Sequence, residues 1–318
     1  MTLALRGTTP HNADRQVNPI SNCRLCENAT DLRESHIVPK FVFRWLKSSS
    51  PTGIRQAVEP NRRVQDGWKR PFLCGTCEAI LNKHETPFAS KLFVPFHERA
   101  PSVRATTHYY GDWCLPFCVS MSWRVLRAAQ EDGTLPNLSG SQHSAVERAL
   151  GTWRDFLLGR RRHPGEHVQY VLPLGVMASA PAETVSPYQN RYFLRTIQID
   201  VLADEDSVFV FSKLGRLAVL GFVTPPKHHW RGWKVHLRKG SFPIQGFAMP
   251  NSMIAYLKAA ADAYGALYER MSSRQQELAR SGIRTAVDQE LEAFIAFEAD
   301  VRISGTTAVR GSRNTTTT

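Results

Sequence analysis

No stretch of eighteen apolar residues occurs anywhere in the 318 residues, so no segment reads as a membrane span. The first nineteen residues, MTLALRGTTPHNADRQVNP, offer only a five-residue apolar-leaning start, too short for the apolar core of a secretory signal, and a cytoplasmic location is expected. Acidic residues are scarce: 28 Asp and Glu stand against 40 Lys and Arg, a formal charge of +12 that disfavours an acidic scaffold and favours a polyanionic partner. No GxxxxGKS/T phosphate loop, GxSxG elbow or HExxH helix is present, nor any repeat of solenoid period. What is present suffices for a core, because 42% of the residues are apolar, and general disorder is excluded.

Four of the six cysteines fall in two CxxC pairs, Cys23/Cys26 and Cys74/Cys77. In a chain without an export signal such pairs read as metal ligands before they read as disulfides. Zn²⁺ takes four thiolates tetrahedrally, and two CxxC turns supply four; a closed set of this kind leaves no coordination position for substrate, so the expected zinc is structural. The alternative is four unlinked, reduced thiols. Cys114 and Cys118 are expected to be small buried core residues.

Residues 1–20 and 303–318 are polar and without apolar period, and read as a flexible arm and a disordered tail. Between them lie a cysteine-bounded unit over 21–100 and an accessory region over 101–302. The first unit holds a helix in KFVFRWLK, a strand in RPFLC and a helix from Gly75 to Leu92. The second holds amphipathic helices over 116–131 and 141–159, the latter capped by Ser141. Short strands follow in VQYVLPLGVM, NRYFLRTIQIDVL, DSVFVFSK, RLAVLGFVT and WKVHLR, and then helices from Asn251 to Arg280 and from Thr285 to Arg302. The expected class is α+β, a zinc-stapled front unit followed by helices and a small antiparallel sheet.

Between the cysteine pairs runs Ser35, His36, Ile37, Val38, Pro39, Lys40, and the second pair continues as Leu73, Cys74, Gly75, Thr76, Cys77, Glu78 into a helix. This layout resembles the zinc-stapled HNH endonucleases, a class of ββα-metal (His-Me finger) nucleases, over about residues 21–95. It is closest to a bacterial subgroup with SHIxPKF, then CxxCE and a further Glu on the helix; Trp123 and Arg124 are compared with a Trp-Arg step of that subgroup. The resemblance implies a metal-dependent endonuclease acting on DNA, with His36 as general base on a water, a divalent cation such as Mg²⁺ between strand and helix, and service in mobile-element or phage-defence biology. An imidazole titrates close to neutrality and suits that role. The sequence departs from the pattern at Ser35, where an acidic residue usually helps to hold the metal, and at Glu78, where His or Asn is common. Glu78, Asn82 and Glu85 at i, i+4 and i+7 share one helix face and offer oxygen donors for a cation opposite His36, or else form a solvated face. Asp66, in the loop before the second strand, is a further source of a carboxylate.

Around this unit Lys40, Arg44, Lys47, Arg55, Arg62, Arg63, Lys69 and Arg70 form a basic surround fit for phosphates. From Ser207 to Ala261 there is no acidic residue, and within that span Trp230, Arg231, Trp233 and Lys234 interleave cations with indoles, as groove binders that pair phosphates and stack bases do. A half-buried strand with a solvated basic face would look the same. Two further readings stay open: a zinc-stapled nucleic-acid-binding protein that has lost catalysis, and a regulatory protein in which zinc only stabilises the fold.

Overall fold

A computed structural model describes residues 3–5, 21–50, 53–57, 59–98, 107–175, 185–205, 207–226, 234–242, 249–278, 281 and 298–301. The expected helix 285–302 and tail 303–318 fall almost wholly outside these residues, as do Trp230, Arg231 and Trp233.

The chain is α+β. Its front half runs β1 (Leu3–Leu5), β2 (Ser21–Asn22), β3 (Ala29–Thr30), β4 (Arg33–His36), α1 (Lys40–Ser48), β5 (Ile54–Gln56), β6 (Arg63–Val64), β7 (Lys69–Leu73), α2 (Gly75–Phe88) and α3 (Val94–Glu98). Pro87 and Pro95 each remove an i→i−4 donor, and between them Ala89–Phe93 winds as π-helix that joins α2 to α3. The second half runs β8 (His108–Tyr110), α4 (Cys114–Glu131), α5 (Gly140–Leu157), β9 (Gln169–Pro173), α6 (Gln189–Arg195), β10 (Ile197–Ala203), β11 (Val208–Leu214), β12 (Leu217–Phe222), β13 (Gly240–Phe242) and α7 (Asn251–Glu269).

Seven strands form the main sheet in the order β6-β5-β1-β10-β11-β12-β9. It is larger than expected and mixed: β1 lies parallel to both β5 and β10, whereas the remaining pairs are antiparallel. Leu3–Leu5, expected within a mobile arm, is therefore a strand whose backbone fills the slot between β5 and β10; three residues are too few for a periodicity to announce it. NRYFLR, expected as strand, forms α6, and among the described residues of WKVHLR Lys234 makes an isolated bridge to Tyr170.

The central strands are buried on both faces, which is why their sequences run apolar without alternation. In β12, Leu217 and Val219 point into one cluster with α4 and α5, while Ala218 and Leu220 point into another with Met253, Leu257, Ala261 and Tyr264 of α7. The first cluster also contains Cys23, Phe72, Leu81 and Phe88, so the apolar core is continuous from the cysteine unit to the sheet. Phe88 of α2 stacks on Phe117 of α4. The β11–β12 hairpin turns on Gly215 and Arg216, with Gly215 at φ +65°, the left-handed value that the first central residue of a two-residue turn requires. Helix α5 begins on Ser139 rather than Ser141: the Ser139 hydroxyl accepts from Gln142 N–H, and the Gln142 side chain accepts from Ser139 N–H, a complete capping box.

Candidate functional site

The cysteine cluster is built from two turns brought together by β7. In the first, β2 and β3 pair, Cys23 N–H donates to Asn28 C=O, and Glu27 takes φ +65° to close the knuckle. Arg24 N–H then donates to Phe72 C=O, which fixes this knuckle to β7. In the second, Cys74 caps α2, its sulfur accepting from Cys77 N–H at 3.4 Å. Cys74 N–H in turn donates to Cys23 Sγ at 3.3 Å. All four Sγ atoms lie within 4.8 Å of one another, and Cys26 and Cys74 are 3.9 Å apart. A tetrahedral thiolate site with Zn–S near 2.3 Å has sulfur–sulfur edges of about 3.8 Å, so donor type and spacing fit a zinc ion. Burial works against ionisation of Cys23, yet N–H groups of Cys26, Cys74 and Leu25 outweigh it and hold this thiol below its ordinary value. Among the described residues, this is the one group of three or more His, Cys, Asp and Glu side chains whose ligand atoms converge. Cys114 and Cys118 are fully buried in α4, as expected of core residues.

Beside the cluster, β4 and β7 pair antiparallel and lead into α2, a strand–strand–helix arrangement. Pro71 has no N–H, and the ladder shifts register between Arg33 and Glu34. Ser35 bridges this irregularity: its buried hydroxyl donates to Arg33 C=O and accepts from Leu73 N–H. Ser35 therefore points inward, and Glu34 and His36 take the open side of the strand.

His36 ends β4 with 16% of its side chain exposed. Its Nε2 lies 3.0 Å from Asp66 Oδ1. Asp66 also accepts from Gly67 N–H at 2.8 Å, and its Oδ2 pairs with Lys69 Nζ at 2.5 Å. Burial pushes this carboxyl up, but Lys69, His36 and Gly67 N–H together hold it well below the usual carboxylate range, so it is ionised at neutral pH. Gly67 sets the loop in place: a Cβ there would lie 2.0 Å from the Phe43 ring, so only glycine lets the loop seat on α1. The main chain of His36 is held from another side by Arg124, whose buried guanidinium donates to His36 C=O at 3.2 Å, to Glu85 Oε1 at 2.7 Å and to Ser120 C=O.

The expected carboxylate stripe is thus divided. Glu85 is neutralised by Arg124, which corrects its assignment as a ligand facing His36. Asn82 is exposed and accepts from Thr86, and Glu78 is half-buried in the first turn of α2. Neither converges with His36 in a group of three ligands. The carboxylate that does meet the imidazole comes from Asp66. The basic surround is also thinner than the sequence implies. Arg70 is spent on Glu131 and Asp132 at the end of α4, and Arg55 is fully buried, donating to Pro60 and Asn61 carbonyls and to Gln275. Lys213 and Arg216 are buried too, donating to the Thr196, Gly215 and Phe96 carbonyls. Lys40 and Arg44 on α1 and Lys69 on β7 remain exposed near His36 in sequence and ladder, and Lys234 is exposed beyond β9.

Sequence reasoning offered Asp66 as a carboxylate without placing it and noted Arg124 only as part of a Trp-Arg step. Asp66 precedes a glycine in a turn, a local signal for a fixed carboxylate, though none for its partner. Arg124 is the one charged residue from Phe117 to Leu126, a signal for a buried charge in need of an acid. Comparison of the chain with protein-family models, with curated proteins and with solved structures found no significant match. No helix among the described residues is long and apolar enough to cross a membrane.

Proposed function

We propose that this chain is a nuclease that cleaves phosphodiester bonds at His36, with zinc on Cys23, Cys26, Cys74 and Cys77 serving as a structural staple. The observation that carries the reading is the partly exposed imidazole at the end of β4, with one ring nitrogen fixed by an ionised Asp66. Because Nε2 is committed to Asp66 as donor, Nδ1 is left as the atom that takes a proton, and the aspartate both orients the ring and stabilises the imidazolium that forms. Lys40, Arg44 and Lys69 supply exposed positive charge for the phosphates on either side.

A catalytic Mg²⁺, implied by the HNH resemblance, does not fit the donors around His36. Ser35 points inward, Asp66 is shared by His36 and Lys69, and Glu85 is held by Arg124. The test is a survey of the zinc-loaded full chain on plasmid, single-stranded DNA and RNA, with and without Mg²⁺ or Mn²⁺. Cutting of any polynucleotide supports the reading, and absence of cutting on all of them overturns it.

The same engaged carboxylates favour one competing reading, a nucleic-acid-binding protein on a nuclease frame. Salt-sensitive binding with no cleavage in the same survey selects it.

A further inference from the structure

The mismatch between the donors around His36 and a hard divalent ion has a chemical counterpart. Both oxygens of Asp66 are in use, Oδ1 by His36 Nε2 and Gly67 N–H and Oδ2 by Lys69 Nζ. A cation entering there would have to displace an ammonium at 2.5 Å. What these residues present is a base and a fixed positive charge bridged by one carboxylate. His36 and Lys69 are direct cross-strand partners in the β4–β7 ladder, so both side chains leave the same side of the sheet. Lys69 is 36% exposed, which leaves its ammonium able to meet an anion while Asp66 holds it near the imidazole.

Without a metal ion to generate hydroxide, attack by water on a phosphodiester asks more than a single imidazole supplies. A hydroxyl already held beside the phosphorus needs only a base and a cation, because the nucleophile is part of the substrate. RNA carries that hydroxyl at the 2′ position of every nucleotide and DNA does not.

Building on the nuclease reading, we infer that the substrate is RNA and that the strand is cut by internal transesterification with no divalent ion. His36 Nδ1 takes the proton of the 2′-hydroxyl. The 2′-oxygen forms a bond to phosphorus, the bond from phosphorus to the 5′-oxygen breaks, and the departing oxygen takes a proton from water. The hydroxide left behind recovers the proton from the imidazolium. The products are a 2′,3′-cyclic phosphate and a 5′-hydroxyl end, and redox state is unchanged throughout. Lys69 Nζ stabilises the charge that gathers on the non-bridging phosphate oxygens. Asp66 is a positioning residue that fixes the imidazole tautomer.

The test uses the full chain with its zinc content verified, in buffer stripped of other divalent ions. The probes are a 5′-labelled single-stranded ribo-oligonucleotide, its 2′-deoxy counterpart and plasmid. The expected result is cutting of the ribo strand alone, with a cyclic-phosphate end and no gain on adding Mg²⁺. Lys69→Met should lower the rate about 100-fold, with Lys69→Arg recovering part of it at unchanged melting temperature. Cutting that requires Mg²⁺, or that extends to the deoxy strand or plasmid, overturns this inference while leaving a nuclease in place. Failure to cut any probe with or without Mg²⁺ overturns both.

Discussion

Arg124 joins three elements through one side chain, linking α4 to the last carbonyl of β4 and to Glu85 of α2. Truncation strands Glu85, only 17% exposed, without its counter-charge and frees the main chain under His36. Arg124→Ala should cost about 3 kcal/mol in urea melts, and Arg124→Lys should recover only part of it, because an ammonium cannot reproduce the fork. At Asp66 the effect is orientational. Imidazole nitrogen-15 shifts of the neutral His36 ring should report the Nε2–H tautomer in the wild type and a mixture in Asp66→Ala, with little change in melting temperature. Of these residues, His36 and the four thiols were legible in the sequence because motif and spacing name them. Asp66 was not placed, because the short loop between β6 and β7 has no period to fix where any side chain points. Glu85 was misread because helix geometry gives the face a residue shares, not the cation that arrives from a different helix.

The strand–strand–helix unit depends on β7, which carries the second knuckle at its end and Lys69 at its start. Stripping the metal should therefore loosen β4 against β7 as well as the knuckles. Chelation is expected to raise amide exchange at Ser35, His36 and Leu73 while leaving β10–β12 protected, and equal loss across the sheet would contradict this. Helix α5 gives a sharper local test. Ser139→Ala should cost about 1 kcal/mol and Ser141→Ala close to nothing, reversing the reading from sequence. That reading placed the helix correctly and missed its cap by two residues, since both serines suit the role and only the reciprocal Gln142 contact separates them. The two-sided burial of β9, β11 and β12 made the strands readable as apolar runs, yet concealed how they are ordered. The parallel insertion of β1 left no sequence trace.

At the scale of the whole molecule, His97 and His167 are histidines buried within the fold. His97 bridges Phe93 C=O and Arg216 N–H, and His167 meets Val223 C=O. Burial lowers both, and the cations Arg216, Lys213 and Arg195 lower His97 further. In the unfolded chain these imidazoles take a proton near 6.5, whereas in the fold they do so only at lower pH. Below that value the unfolded state binds more protons, so stability is full above about pH 6.5 and declines as pH falls, by up to ~1.4 kcal/mol per pH unit for each histidine. Denaturant melts from neutrality to about pH 5 should show this decline, and His97→Gln should flatten it. The overall class and the zinc-type unit could be read from composition, motif and periodicity. The docking of that unit onto the sheet could not, because it rests on long-range contacts such as Phe88 on Phe117.

The central claim is that one imidazole, pinned by a thiolate cluster and an aspartate, performs phosphodiester cleavage. It is tested most directly by comparing wild type and His36→Ala on the same labelled polynucleotide, at matched zinc content and melting temperature. The account predicts that the variant cuts at least about 100-fold more slowly than the wild type. Equal rates from the two proteins would contradict it.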